Sequence, residues 1–253
     1  MEEVRLNKYL SEAGICSRRE ADRLICAGLV TVNGRRAVTG ERISPEDRVE
    51  VKGKPVGGQP ARVLLALYKP EGIVCTAQKR EKNNVIDYIG YPQRVFPVGR
   101  LDKDSSGLLL LTNDGDLVNK IMRAGNYHEK EYLVKVDRPI TDEFLRRMRG
   151  GVPILDTVTR PCTVEQTGKN SFRIILTQGL NRQIRRMCET LGFRVTGLLR
   201  IRIMNIRLDG MKKGQLRQVT GEELEQLQEL LKDSSSLSWA QQREQEKKSG
   251  RRK

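Results

Sequence analysis

The sequence predicts an α+β protein in two parts, a small helix-and-hairpin module followed by a larger domain that mixes strand and helix signals. Three observations lead there. Residues 4 to 55 carry two short helical patterns and then an alternating run around Asn33-Gly34. Residues 52 to 62, KGKPVGGQPAR, are rich in glycine, proline and polar residues and lack periodicity, the composition of a linker. From Val63 onward, apolar runs of strand length are interspersed with segments of helical period. With 253 residues and 37% hydrophobic content, the chain can bury one medium core and one small one.

Within the module, VRLNKYLSEAG has a helical pattern. Ser17-Arg18-Arg19-Glu20 then matches a capping box, in which a serine and a glutamate three residues on satisfy free N–H groups at a helix start. The helix that follows has Ala21, Leu24 and Ile25 as its apolar stripe and Gly28 as its stop, while Arg19 and Arg23 share a different face. LVTVNGRRAV is a hairpin signal, since Asn-Gly accommodates the left-handed backbone of a tight turn.

Val63 to Tyr68 is an apolar strand, turned by Lys69-Pro70-Glu71-Gly72. VFPVGR, residues 95 to 100, is read as a second strand. GRLDKDSSGLLLLTNDGD follows, where Leu108 to Leu111, bounded by Gly107 and by a Thr-Asn-Asp-Gly turn, form a strand buried on both faces. The residues before it are then a loop on a rigid element, a common seat for chemistry. On an extended backbone Asp102 and Asp104 point in similar directions. A helix begins at Asp116. Lys130 to Val136 is a strand with Tyr132, Val134 and Val136 on one face and Glu131, Leu133 and Lys135 on the other, so pattern alone makes Tyr132 a core residue. ITDEFLRRMRGG is a helix capped by Thr141, with Arg146, Arg147 and Arg149 as surface charge. Two strand segments lead to NRQIRRMCETLG. There Ile184, Met187, Cys188 and Leu191 make the apolar stripe, Arg182 and Arg186 lie nearly opposite, and Arg185 sits at the stripe's edge. A half-buried arginine needs a carboxylate partner. An acidic amphipathic helix, Glu222 to Lys232, closes the domain, and the polar, charged tail from Ser234 is expected to be disordered.

Charge and residue counts narrow the function. The net charge of +15 suggests a polyanionic partner. Residues 171 to 220 hold 11 basic and 2 acidic side chains, residues 1 to 55 hold 11 and 9, and the tail from 234 holds 6 and 2. The excess therefore falls on one late segment and is expected to form a binding face that includes Arg200, Arg202 and Arg207. Five scattered cysteines without a C-x-x-C pair suit free thiols in a reducing compartment, with neither disulfide nor zinc. His128 is the only histidine, which argues against a histidine-dependent triad or a multi-histidine metal site. No apolar run reaches the roughly 20 residues of a membrane span, and MEEVRLNKYL lacks the features of an export signal. The chain is expected to be cytoplasmic, without a membrane partner, and catalysis must rest on carboxylates.

The string Gly99-Arg100-Leu101-Asp102 with its continuation resembles the signature of the RsuA/RluB/RluE/RluF family of pseudouridine synthases. In that family the aspartate after Gly-Arg-Leu is catalytic, which here is Asp102. Lys130-Glu131-Tyr132 resembles the second family motif, whose tyrosine lies against the target base, and Gly179 to Met187 resembles the third, whose arginine pairs with the catalytic aspartate and falls on Arg185. Strand-Lys-Pro-x-Gly resembles an element that supports the site. Asn7-Lys8, Cys16 to Ala21 and Val32-Asn33-Gly34 resemble an S4 RNA-binding domain, which implies that Lys8, Arg18, Arg19, Arg23 and Arg35 face RNA phosphates. Arg100, which the resemblance suggests helps fill the space of an extruded nucleotide, joins Arg182, Arg186, Arg200 and Arg202 as the expected RNA contacts of the second domain.

The fold thus implied is an S4 domain over 1–55, a linker over 56–62, a mixed, mainly antiparallel-sheet catalytic domain over 63–233, and a basic tail. The implied function is isomerisation of uridine to pseudouridine in 23S ribosomal RNA by a monomer, with a tRNA anticodon stem as a second candidate substrate. The reaction breaks the N1–C1′ bond, turns the base and rejoins it through C5, without cofactor, metal or redox step. A carboxylate such as Asp102 can attack the anomeric carbon or remove a neighbouring proton. The alternatives fit less well. A non-catalytic S4 RNA-binding or ribosome-assembly factor leaves GRLDKD without a task, and an S4-bearing methyltransferase needs a glycine-rich cofactor loop where this chain has Lys-Pro-Glu-Gly.

Overall fold

The computed structural model describes residues 3–78 and 80–236. The chain divides into two compact units, residues 1–62 with 91–94, and residues 63–90 with 95–253.

The first unit contains β1 (Val4–Arg5), α1 (Leu6–Glu12), α2 (Arg18–Cys26), β2 (Val30–Val32), β3 (Arg35–Arg36), β4 (Arg42–Ile43), β5 (Val49–Val51) and β6 (Lys54–Pro55). Ser17 starts α2 by accepting the Glu20 N–H at 3.2 Å, as the capping box predicts. Leu6, Leu10, Ala21 and Ile25 of the helices bury their side chains with Val30, Val32, Ile43 and Val49 of the strands. Asn33 and Gly34 both take left-handed backbone between β2 and β3, with φ of 52° and 78°. The antiparallel order is β3-β2-β5-β6. That order corrects the reading of 52–55 as linker, because Lys52 and Gly53, also left-handed, form a second tight turn that pairs Lys54 with Val51. The turn was unmarked in the sequence because no alternating apolar run follows it.

In the second unit nine strands form one sheet. In chain order its elements are β7 (Leu64–Lys69), α3 (Val85–Ile89), β8 (Phe96–Pro97), β9 (Ser106–Thr112), α4 (Gly115–Met122), β10 (Lys130–Val136) and α5 (Asp142–Gly150), a small hairpin of β11 (Pro153–Ile154) and β12 (Thr157–Val158), then β13 (Thr163–Gly168), β14 (Ser171–Leu176), α6 (Gln183–Thr190), β15 (Val195–Ile203), β16 (Ile206–Arg207), β17 (Leu216–Gln218) and α7 (Gly221–Leu230). The sheet order is β13-β14-β10-β15-β9-β7-β17, with β16 on β15 and β8 on β9. Every pairing is antiparallel except β9 with β15. The expected strand over 95–100 is only two residues long, since Gly99 at φ 73° turns the chain out of the ladder.

All seven residues of β9 are buried, as expected for an apolar run with strands on both sides. Leu108 and Leu110 enter a core that includes Ile121 of α4 and Leu227 of α7. A second core joins Val134 of β10, Phe144 and Met148 of α5, Phe172 of β14 and Ile184 and Met187 of α6. The chain after α7 is tied down as far as Ser236, which corrects the expectation of disorder from Ser234. Ser234 Oγ and His128 Nε2 share a hydrogen bond at 2.7 Å, Asn126 Nδ2 donates to Ser235 O at 3.1 Å, and Arg123 Nη2 donates to Ser236 O at 2.6 Å. The rest of the tail lies outside the described residues.

Candidate active site

The loop before β9 is held from below by the Lys-Pro turn. Lys69 Nζ, fully buried, donates to Pro70 O and Ser105 O at 2.8 Å each, and Gly72 N donates to Lys103 O at 2.7 Å. Burial pushes the Lys69 ammonium below its usual range, against the pull of Cys75, Glu71, Asp102 and Asp104 towards the charged form. The structural role expected for this element matches these bonds. Asp102 and Asp104 do not lie on extended backbone, however. Ser105 N donates to Asp102 O at 3.1 Å and closes a turn.

The two carboxylates nevertheless reach the same pair of cations. Arg182 Nη1 is 3.2 Å from Asp102 Oδ2 and 3.6 Å from Asp104 Oδ1. Arg185 is 7% exposed, as its place at the stripe's edge predicts. Its Nη2 donates to Asp104 O and Ser105 Oγ at 3.1 Å each and pairs with Asp104 Oδ2 at 3.2 Å, while its Nε stands 3.8 Å from Asp102 Oδ2. Arg185 thus braces the turn as a whole, and the short contact to Asp102 comes from Arg182. Arg182 remains exposed, but it stands in the cleft beside Asp102 rather than on the helix face opposite the stripe. Arg182 precedes α6 with left-handed backbone at φ 50°, so helical projection does not apply to it.

A cleft is lined by Asp102, Arg100, Tyr132, Arg182 and Arg185 among others, so the three motifs meet in one place. Tyr132 is half-buried on β10, lines the cleft and also packs against the core that contains Val134. Gln183 Oε1 accepts the Leu180 N–H at 3.0 Å and fixes the loop entering α6. Gln178, at the end of β14, lines the same cleft, and sequence reasoning did not single it out. Its neighbours in the sequence carry no pattern that distinguishes it.

The remaining cations differ from expectation in part. Arg200 is 2% exposed and donates from Nε to Leu108 O at 2.7 Å, so it is not available to RNA. Arg202 is drawn to Glu131 at 2.5 Å and Glu129 at 2.8 Å. Glu131 also pairs with Arg173 at 2.5 Å. Burial raises the Glu131 pKa, but hydrogen bonds from Arg202 and Arg173 outweigh it and leave the carboxyl below its usual range. Arg217 is bound by Glu223 at 2.6 Å. Arg173, Arg182, Arg185, Arg202 and Arg217 of the basic 171–220 segment are therefore paired with acids from other elements. Arg186 is half-buried and bonds Asn181 O at 3.2 Å, whereas Arg207 is exposed.

In the first unit Arg18 and Arg19 are exposed at the start of α2. Lys8 lies 3.6 Å from Glu12, Arg23 3.1 Å from Glu20 and Arg35 2.5 Å from Glu41. Among the described residues there is no group of three or more histidine, cysteine, aspartate or glutamate side chains placed to hold a metal ion. No helix among them is long and apolar enough to cross a membrane.

Residues 63–190 match the family model for RNA pseudouridylate synthase, and residues 4–49 match the S4 domain model. The chain is 57% identical over 235 residues to the dual-specificity RNA pseudouridine synthase RluF of Escherichia coli K12, covering 92% of this chain and 81% of that protein. It is 36% identical over 235 residues to ribosomal large subunit pseudouridine synthase B of Bacillus subtilis, covering 89% and 96%. The crystal structure of a pseudouridylate synthase superposes with a TM-score of 0.65 at 27% identity, covering 90% of this chain and 99% of the other. A carboxylate between two arginines in a cleft of the sheet domain, an S4 domain before it and relatives at this level of identity lead to one conclusion: the chain belongs to the RNA pseudouridylate synthase family.

Proposed function

We propose that this enzyme isomerises specific uridines of large-subunit ribosomal RNA, with a tRNA anticodon stem as a second substrate and Asp102 as the catalytic carboxylate. The observation that carries the reading is the ionic contact of Asp102 with Arg182 and its proximity to Arg185 inside the cleft. Arg182 and Arg185 hold the carboxylate of Asp102 in the cleft, where it can attack C1′ or remove a neighbouring proton. Tyr132 offers a ring on which an extruded uracil can stack, worth about 1–3 kcal/mol per base. Arg100, exposed and lining the cleft, is assigned to the space the nucleotide leaves.

Support for the RNA class comes from the relatives. One is named for the ribosomal large subunit and another for a dual specificity. Lys8, Arg18, Arg19, Arg23 and Arg35 of the S4 domain are assigned to RNA phosphates, and the enzyme is taken to act as a monomer. The domains are read as 1–55 and 63–233 joined by 56–62. The test is pseudouridine mapping of large-subunit rRNA and tRNA from cells lacking the gene and from the same cells complemented with wild type or Asp102→Asn. Sites should vanish in the deletion, return with wild type and stay absent with the variant. An unchanged rRNA map in the deletion would remove the ribosomal assignment.

A further inference from the structure

We infer that Gln178 is a base-reading residue of this site, donating a hydrogen bond from its side-chain amide to a carbonyl oxygen of the uracil. The inference rests on the reading of the cleft as a uridine site. Its ground is an orphaned donor. Gln178 lines the cleft that holds Asp102, and its Nε2 is shielded from water without a hydrogen-bond partner. Nearly all buried polar atoms in folded proteins find partners, so an amide nitrogen left unpaired in a pocket wall, a torsion away from the cleft, calls for a partner from outside the chain. The neighbouring amide of Gln183 is already engaged through Oε1 with Leu180 N. Gln178 lies two residues beyond the end of β14, and its terminal torsion is broad and twofold. Turning that torsion towards the cleft breaks no bond made by Nε2.

Uracil chemistry explains why a neutral donor suits this reaction. The ring presents carbonyl oxygens O2 and O4 on either side of N3–H. After the N1–C1′ bond breaks, a half-turn about the C6–N3 axis puts C5 where N1 was and exchanges O2 with O4. A donor facing one of these positions therefore meets a carbonyl oxygen before the turn and after it, and it binds substrate and product rings alike.

The test uses the full chain with Gln178→Leu and Gln178→Met, which remove the donor while filling the space. The probes are an unmodified large-subunit rRNA transcript and a tRNA transcript labelled with tritium at uracil C5. Tritium release is followed under single turnover at saturating enzyme, and RNA affinity and melting temperature are measured in parallel. The rate should fall roughly tenfold to a hundredfold in both variants. RNA affinity should stay within about threefold, because phosphate contacts supply most of it, and the melting temperature should not drop, since an unpaired donor has been removed. A folded variant that keeps the wild-type rate within about threefold would overturn the assignment of Gln178 while leaving the uridine reading intact. A wild-type enzyme that releases no tritium from either RNA would overturn both.

Discussion

Asp102 shares its surroundings with two cations whose work differs, and substitution should separate them. Arg182 makes the 3.2 Å contact with Asp102 from an exposed position, so Arg182→Ala should lower the single-turnover rate by about tenfold to a hundredfold and leave the melting temperature nearly unchanged. Arg185 is buried against Asp104 O and Ser105 Oγ, so Arg185→Ala should cost activity and about 2–3 kcal/mol of stability. Thermal and urea melts of the two variants measure the difference, and equal melting temperatures would contradict the division.

Lys130 gives a pH test at the same scale. Burial, with Arg200 adding to it, pushes its ammonium down to about 8. Between pH 8 and the usual lysine value near 10.5, the unfolded chain holds a proton that the native protein has released, so this group's contribution to stability rises with pH. Relative to Lys130→Met, wild type should gain up to about 3 kcal/mol across that window in urea titrations. A constant difference between the two proteins would show that Lys130 keeps an ordinary pKa.

Among the elements, β9 and its junction with β15 carry the loop that bears Asp102. Gly107 pairs with Arg200 at φ 113°, and an added Cβ would stand 2.6 Å from the Arg200 backbone N and closer still to its carbonyl oxygen. Gly107→Ala should therefore cost more than about 3 kcal/mol, by strain and displacement of backbone. A circular-dichroism melt indistinguishable from wild type would refute it.

The same junction illustrates what was legible beforehand. Leu108 to Leu111 announced a strand buried on both faces, Ser17 to Glu20 announced a helix start, and Asn33-Gly34 announced a hairpin, because each signal is local. The burial of Arg185 was also local, being a matter of angle from Ile184. The place of Arg182 beside Asp102 was not legible because nothing in its neighbours marks the left-handed backbone that takes it off the helix. Arg200 and Arg202 were misread because their partners, Leu108 O, Glu129 and Glu131, lie about seventy or more residues upstream and arrive only through strand pairing. Gln178 left no trace in the sequence because its distinction is the lack of a partner.

For the molecule as a whole, RNA binding by the S4 domain is tested on two of its exposed arginines. Arg18 and Arg19 are exposed at a helix N-terminus, where backbone N–H groups also favour phosphate. The double substitution Arg18→Ala/Arg19→Ala should reduce the slope of log affinity against log salt by about 1.5 to 2, and leave the rate at saturating enzyme within about threefold. An unchanged slope would place the phosphate contacts elsewhere. The central claim is that one ionised carboxylate in the cleft performs the isomerisation, and Asp102→Asn in the full chain tests it most directly. Single-turnover tritium release from C5-labelled rRNA and tRNA transcripts should fall to background while RNA affinity stays within about threefold of wild type. Product formation above background in that variant would contradict the account.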